Sequence, residues 1–139
     1  MDETAEGEDV GNDDEKLIGS AIEVRERAYA PYSGYRVGAA VLTGSGRIHA
    51  APNIENASYG LTVCAERAAL IKAVSEGETD FRVLAVVTED GGSPCGACRQ
   101  FLAEFGADVR ILIADTGGDV RETTLGALLP DAFDLPDPE

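Results

Sequence analysis

The run Val83-Leu84-Ala85-Val86-Val87 is apolar at every position, the pattern of a strand covered on both faces rather than one with a wet side. A second apolar strand follows over Val109 to Ala114. Between and before them the spacing turns helical. Ala65 to Val74 is an Ala-rich helix with an apolar stripe closed by Glu76-Gly77, and Gly91-Gly92-Ser93-Pro94 opens another over about Gly96 to Phe105. Upstream, Leu17, Ala21, Val24 and Ala28 recur at steps of four, three and four, predicting an amphipathic helix over Glu15 to Tyr29 that ends at Ala30-Pro31. Val37, Ala39 and Val41 alternate with Arg36, Gly38 and Ala40, and a second extended stretch from Arg47 towards Asn53 follows Thr43-Gly44-Ser45-Gly46, a hairpin signal. Gly117-Gly118 marks a turn, Val120 to Thr123 a short edge strand, and Leu125 to Leu129 a final helical turn. The order helix, hairpin, helix, strand, helix, strand predicts an α/β chain with a mixed sheet and helices on both faces.

Charge is distributed unevenly along this chain. Of 139 residues, 11 are Lys or Arg and 26 Asp or Glu, a net charge of -15. Eight acids and no base fall within residues 1–15, and four acids and no base within 131–139, so residues 16–130 carry a net charge of only -3. Residues 1–14 are expected as an acidic disordered tail, 15–133 as one folded domain and 134–139 as an acidic C-terminal tail. Such acidity disfavours binding that depends on neutralising phosphates, whether of nucleic acid or of an anionic membrane. The acidic start lacks the pattern of a secretory signal, and no apolar run reaches the roughly 20 residues of a membrane span, so a cytoplasmic location is expected. Only two of the 11 basic residues are lysines, which with the acidity points to a high-salt, halophilic cytoplasm.

Three cysteines are too few for a disulfide scaffold at this length, and all three fall at expected helix starts. Cys64 opens Cys64-Ala65-Glu66-Arg67, and Cys95 and Cys98 belong to Pro94-Cys95-Gly96-Ala97-Cys98-Arg99-Gln100. A helix N-terminus favours thiolates, and Cys-x-x-Cys lets one turn present two sulfurs to one ion. Three thiolates suit zinc. The alternative is that free cysteines simply pack in the core. There is no fourth cysteine, and His49 falls in an expected strand, where a plain strand side chain is the simpler reading than a ligand. Three ligands leave an open position for water, the catalytic arrangement. Glu66, two residues after Cys64, is within reach of that water as a proton shuttle, and Arg67 is spaced to hydrogen-bond the ligand sulfurs and offset their charge. Arg99 and Gln100 are open between a role at the site and mere capping or solvation.

From about Lys16 to Phe133 the sequence resembles the cytidine deaminase family, in its small, homotetrameric, zinc-dependent form that acts on free nucleosides. The matching blocks are Ala30-Pro31-Tyr32-Ser33 with Val37-Gly38-Ala39-Ala40, Asn53 to Tyr59, Cys64 to Arg67, Pro94 to Gln100, and Leu128-Leu129-Pro130 with Phe133. The resemblance implies a three-layer α/β/α fold with a five-stranded mixed sheet, one Zn2+ per subunit on Cys64, Cys95 and Cys98, and Glu66 as acid and base in turn. It implies that Asn53 and Glu55 bind the sugar hydroxyls and that the Ala65 N–H meets the pyrimidine carbonyl. Tyr59 and Phe133 would reach a neighbouring subunit's site. The family usually has Phe where this chain has Tyr35, whose ring can still stack on the base but whose hydroxyl then needs a partner. The expected reaction is hydrolytic deamination of cytidine and deoxycytidine to uridine and deoxyuridine, in pyrimidine salvage. Rivals are a deaminase of another small substrate such as blasticidin S, an editing deaminase, which the charge opposes, and a structural zinc module without turnover.

Overall fold

The computed structural model describes residues 2–135, with side chains from residue 13 onward. Met1 and residues 136–139, the end of the expected acidic C-terminal tail, lie outside the described residues, as do the side chains of most of the expected N-terminal tail.

Five strands form one sheet: β1 (Gly38–Thr43), β2 (Ile48–Pro52), β3 (Phe81–Thr88), β4 (Arg110–Asp115) and β5 (Val120–Thr124), in the order β2-β1-β3-β4-β5. The β1–β2 hairpin pairs Gly38 with Pro52 through Leu42 with Ile48, and its turn is closed by Gly46 at φ +89, a conformation that favours glycine. β1 also pairs antiparallel with β3. β3 and β4 are parallel, Val83 opposite Arg110 and Thr88 opposite Asp115, and β5 returns antiparallel to β4. The sheet is therefore mixed, as the patterning predicts.

Helices cover both faces because both faces of the central strands are apolar. On one face, α1 (Asp2–Arg25) buries Leu17 and Ala21 against Ala40, Val83, Ala85, Val87, Leu112 and Ala114. On the other, α2 (Ala65–Ser75), α3 (Gly96–Ala103) and α4 (Leu125–Leu128) cover Val41, Leu84, Val86, Ile111 and Ile113 with Ala69, Leu70, Leu102 and Leu125. Alternate residues of β3 thus serve opposite cores. Gly38 is where α1 crosses the sheet most closely, since a Cβ there would lie 1.9 Å from the Ala21 carbonyl oxygen. Among the described residues, no helix is long and apolar enough to cross a membrane.

Two helix ends differ from the periodicity. α1 stops at Arg25 instead of Tyr29, because Tyr29 is captured in extended pairing: its N–H donates to Asn53 O at 3.0 Å and its carbonyl accepts from Glu55 N at 2.8 Å. At the other end α1 continues back to Asp2, upstream of Glu15. Asp14, the last residue of the expected tail, accepts from Arg110 at 2.9 Å.

Candidate active site

The chain delivers its three cysteines to one point by beginning two helices beside the C-terminal end of β3. Cys64 is the N-cap of α2 and Cys95 the N-cap of α3, both extended, and neither sulfur caps its own helix by a hydrogen bond. Cys98 lies one turn into α3 and is buried. Cys64 Sγ is 3.7 Å from Cys95 Sγ, Cys95 Sγ is 3.5 Å from Cys98 Sγ, and all three lie within 4.8 Å of one another. Tetrahedral zinc with Zn–S bonds of about 2.3 Å holds its sulfurs about 3.8 Å apart, so this donor set fits that ion. Among the described residues it is the one such cluster of metal-ligating side chains.

Arg67 approaches the sulfurs from the next turn of α2. Its Nη2 lies 3.7 Å from Cys64 Sγ and donates to Thr62 O at 3.4 Å, while its buried Nε has no hydrogen-bond partner. Hydrogen bonding by Cys98, and then by Arg67, pulls the Cys64 thiol down to about 5. The same Cys98–Cys64 bond, together with burial, pushes Cys98 up.

Cys64 and Cys95 line a cavity of about 220 Å³ together with Tyr35, Val37, Asn53, Thr62, Ala65, Glu66, Thr88, Gly92 and Ser93, while Cys98 is buried and does not line it. Glu66 is only 6 % exposed, and burial, with Cys64 adding its charge, pushes its carboxyl up to about 7. A carboxyl balanced near neutrality beside a metal-ligating set has the affinity needed to take and return protons. Ala65, the first residue of α2, lines the same cavity, where helix-start N–H groups point outward.

Asn53 is 7 % exposed, and its side chain bridges two backbone groups of the neighbouring segment before β1, accepting from Val37 N and donating to Tyr35 O, both at 3.0 Å. Glu55 lines the adjoining depression with Tyr32, Ser33, Asn56, Tyr59 and Thr62, not the cavity itself. Its carboxylate accepts from Tyr32 N at 2.9 Å, Ser33 N at 3.2 Å and Ser33 Oγ, bonds that hold it below the usual carboxylate range, the hydroxyl foremost. Tyr35 is on the cavity wall, and the partner its hydroxyl needs is Asp90 Oδ1 at 2.7 Å. Tyr59, 80 % exposed on a short 3-10 turn (Tyr59–Leu61), and Phe133, 71 % exposed, stand away from this cavity.

Several other positions resolve. Arg99 is a clamp, donating to Pro94 O and Leu128 O, each at 2.8 Å, and to Ser93 Oγ at 2.9 Å. It ties the loop before Cys95 to the end of α4. Gln100 donates to Phe133 O at 3.2 Å. His49 is a buried strand residue paired with Glu78 at 2.7 Å. Sequence reasoning missed Thr88 and Asp90. The available signal was their place just after an all-apolar central strand, since the carboxyl ends of parallel strands open onto ligand crevices. A larger groove of about 480 Å³ along the free edge of β2 is lined by Ser20, Glu23, Arg27, Ile48 and Lys72 among others, without a metal-ligating set.

Comparison with known proteins gives a consistent picture. The family model for the "Cytidine and deoxycytidylate deaminase zinc-binding region" matches residues 11–114. The chain is 49 % identical over 128 residues to a cytidine deaminase of Sporosarcina psychrophila, covering 90 % of this chain and 94 % of that one. It is 51 % identical over 128 residues to a cytidine deaminase of Halalkalibacterium halodurans, with 90 % and 97 % covered. The crystal structure of a cytidine deaminase from Burkholderia pseudomallei superposes with a TM-score of 0.82 at 48 % identity, covering 86 % of this chain and 98 % of that one.

Proposed function

This chain belongs to the cytidine deaminase family, and from that premise we propose that it hydrolyses cytidine and deoxycytidine to uridine and deoxyuridine with release of ammonia, as in pyrimidine salvage. The observation that carries this reading is the three-sulfur cluster of Cys64, Cys95 and Cys98, of which Cys64 and Cys95 line the cavity that also holds the buried Glu66. Those three thiolates would hold one zinc ion. When bound, zinc supplies the Lewis acidity that makes water nucleophilic at neutral pH.

The chain's own groups do the rest. Glu66 takes one proton from the attacking water as its oxygen bonds to C4 of the ring, and passes that proton to N3. It then carries the second proton from the new hydroxyl to the exocyclic amine. The C4–N bond breaks, ammonia leaves, and C4 becomes a carbonyl, so the atoms balance as nucleoside plus water to give product plus ammonia. Arg67 offsets the negative charge of three sulfurs, which would otherwise weaken the metal's pull on electrons.

The Ala65 N–H would hold the pyrimidine carbonyl and Tyr35 the ring face. Asn53 and Glu55 would meet the sugar hydroxyls, supported by Asn53 on the cavity wall and Glu55 in the depression that shares Thr62 with it. Asn53 and Glu55 already bond backbone groups, so each would use its remaining donor or acceptor capacity for the sugar. A homotetramer in which Tyr59 and Phe133 reach a neighbouring site is part of this proposal, supported by the exposure of both rings. So are a cytoplasmic setting and adaptation to high salt, which the charge of -15 supports. The proposal also keeps the division into an acidic tail over 1–14, a catalytic domain over 15–133 and a second acidic tail over 134–139.

The test is incubation of the zinc-loaded protein with cytidine at low and at multimolar KCl, following loss of cytosine absorbance and release of ammonia. Saturable turnover in either salt is expected. Silence in both, with zinc bound, overturns the reading.

A further inference from the structure

Asp90 does not line the cavity, yet it is bonded to two residues that do. Its Oδ1 accepts from the Tyr35 hydroxyl at 2.7 Å and from Thr88 Oγ1 at 3.3 Å. Thr88 Oγ1 in turn accepts from the N–H groups of Gly91 and Gly92, both at 2.8 Å. One carboxylate oxygen therefore joins three parts of the wall: the segment before β1, the end of β3, and the turn that leads to Cys95. The turn is held close, since a Cβ on Gly92 would come within 3.1 Å of the Tyr35 hydroxyl. Asp90 is exposed, so it does not fill the core, and its bonds do no work for packing that an apolar side chain could do.

We propose that Asp90 is a positioning residue for the nucleoside: by holding the Tyr35 hydroxyl it fixes that ring as one wall of the cavity and sets the gap between the ring and the turn before Cys95. The inference rests on the reading of this cavity as the cytidine site. A ring anchored at both its backbone, where Tyr35 O accepts from Asn53, and its hydroxyl loses little freedom when substrate enters. Freed at one end, it must be ordered by the substrate itself, and the cost falls on binding and not on the proton transfers at Glu66.

Steady-state kinetics with cytidine on the zinc-loaded protein test this with four variants: Asp90→Ala, Asp90→Asn, Tyr35→Phe and the Asp90→Ala/Tyr35→Phe pair. Asp90→Ala and Tyr35→Phe should each raise KM about three- to tenfold with kcat within about twofold of the parent. Asp90→Asn, which keeps an acceptor oxygen, should restore most of the loss. The double variant should be no worse than Tyr35→Phe alone, because Asp90 acts through that hydroxyl. Multiplying effects in the double variant, an unchanged KM in Asp90→Ala, or a fall in kcat alone would each overturn the inference while parent turnover leaves the functional reading standing. A parent with full zinc and no turnover overturns that reading, and this inference with it.

Discussion

Arg67 lies with its Nη2 3.7 Å from the Cys64 sulfur three residues before it, so the helix that begins with a metal-ligating thiolate also supplies that thiolate's counter-charge. Removing the guanidinium leaves three negative sulfurs compensated by the metal and the two helix N-termini, with no side-chain cation beside Cys64 among the described residues. Arg67→Ala is expected to weaken zinc binding or slow turnover by about 10- to 100-fold, the usual cost of losing a group that orients metal ligands. Chelator competition and kcat measured on the same preparation check it. Unchanged values for both would remove the argument for Arg67.

Glu55 holds the turn after Pro31 by accepting from both Tyr32 N and Ser33 N. Its folded-state carboxyl is lowered, so the bonds are complete above its ordinary value of 4.5 and are lost as pH falls through the lowered value. Glu55→Ala is expected to speed hydrogen exchange at the Tyr32 and Ser33 amides and to raise KM for cytidine. Faster exchange with unaltered KM would leave Glu55 a turn residue only.

Much of this was legible in the sequence, for a physical reason. Arg67 follows Cys64 by three residues and Cys98 follows Cys95 by three, each close to one helical turn, so local geometry alone brings the guanidinium to the first sulfur and the third sulfur to the second, with Glu66 on the same first turn as Cys64. The all-apolar β3 likewise specifies a strand buried on both faces. What was not legible depends on contacts between distant segments. Tyr35 and Asp90 are 55 residues apart, and nothing in either neighbourhood names the other. The end of α1 at Arg25 depends on Tyr29 pairing with Asn53 and Glu55, an override of an apolar periodicity that runs on through Ala28. Glu55 reads as a loop carboxylate until the Pro31 turn folds onto it.

At the far end of the β1–β2 hairpin, Glu78 gathers hydrogen bonds from Ser45, from Thr43 at 2.7 Å and from His49 at 2.7 Å, which hold its carboxyl at about 2. A depressed folded-state value means that the carboxylate's contribution to stability is complete above 4.5 and drains away as pH falls towards about 2. Glu78→Gln should lower the denaturation midpoint at pH 7, and the gap from the parent should narrow below pH 4.5. The difference between the two proteins is the quantity to follow, since protonation of the cysteine cluster is common to both. A gap constant with pH would show that the ionised form is not what stabilises the hairpin.

In the proposed mechanism one buried carboxyl, Glu66, moves the protons while three sulfurs hold the metal. Glu66→Gln separates these roles, because an amide preserves shape and leaves Cys64, Cys95 and Cys98 untouched but cannot shuttle protons. The decisive measurement is cytidine turnover by Glu66→Gln and parent, each with zinc per chain determined on the same sample. The account predicts one zinc in both and turnover in the parent alone, with a loss of at least about 10²-fold in the variant. A Glu66→Gln protein that holds its zinc and keeps more than a few per cent of the parent rate would contradict it.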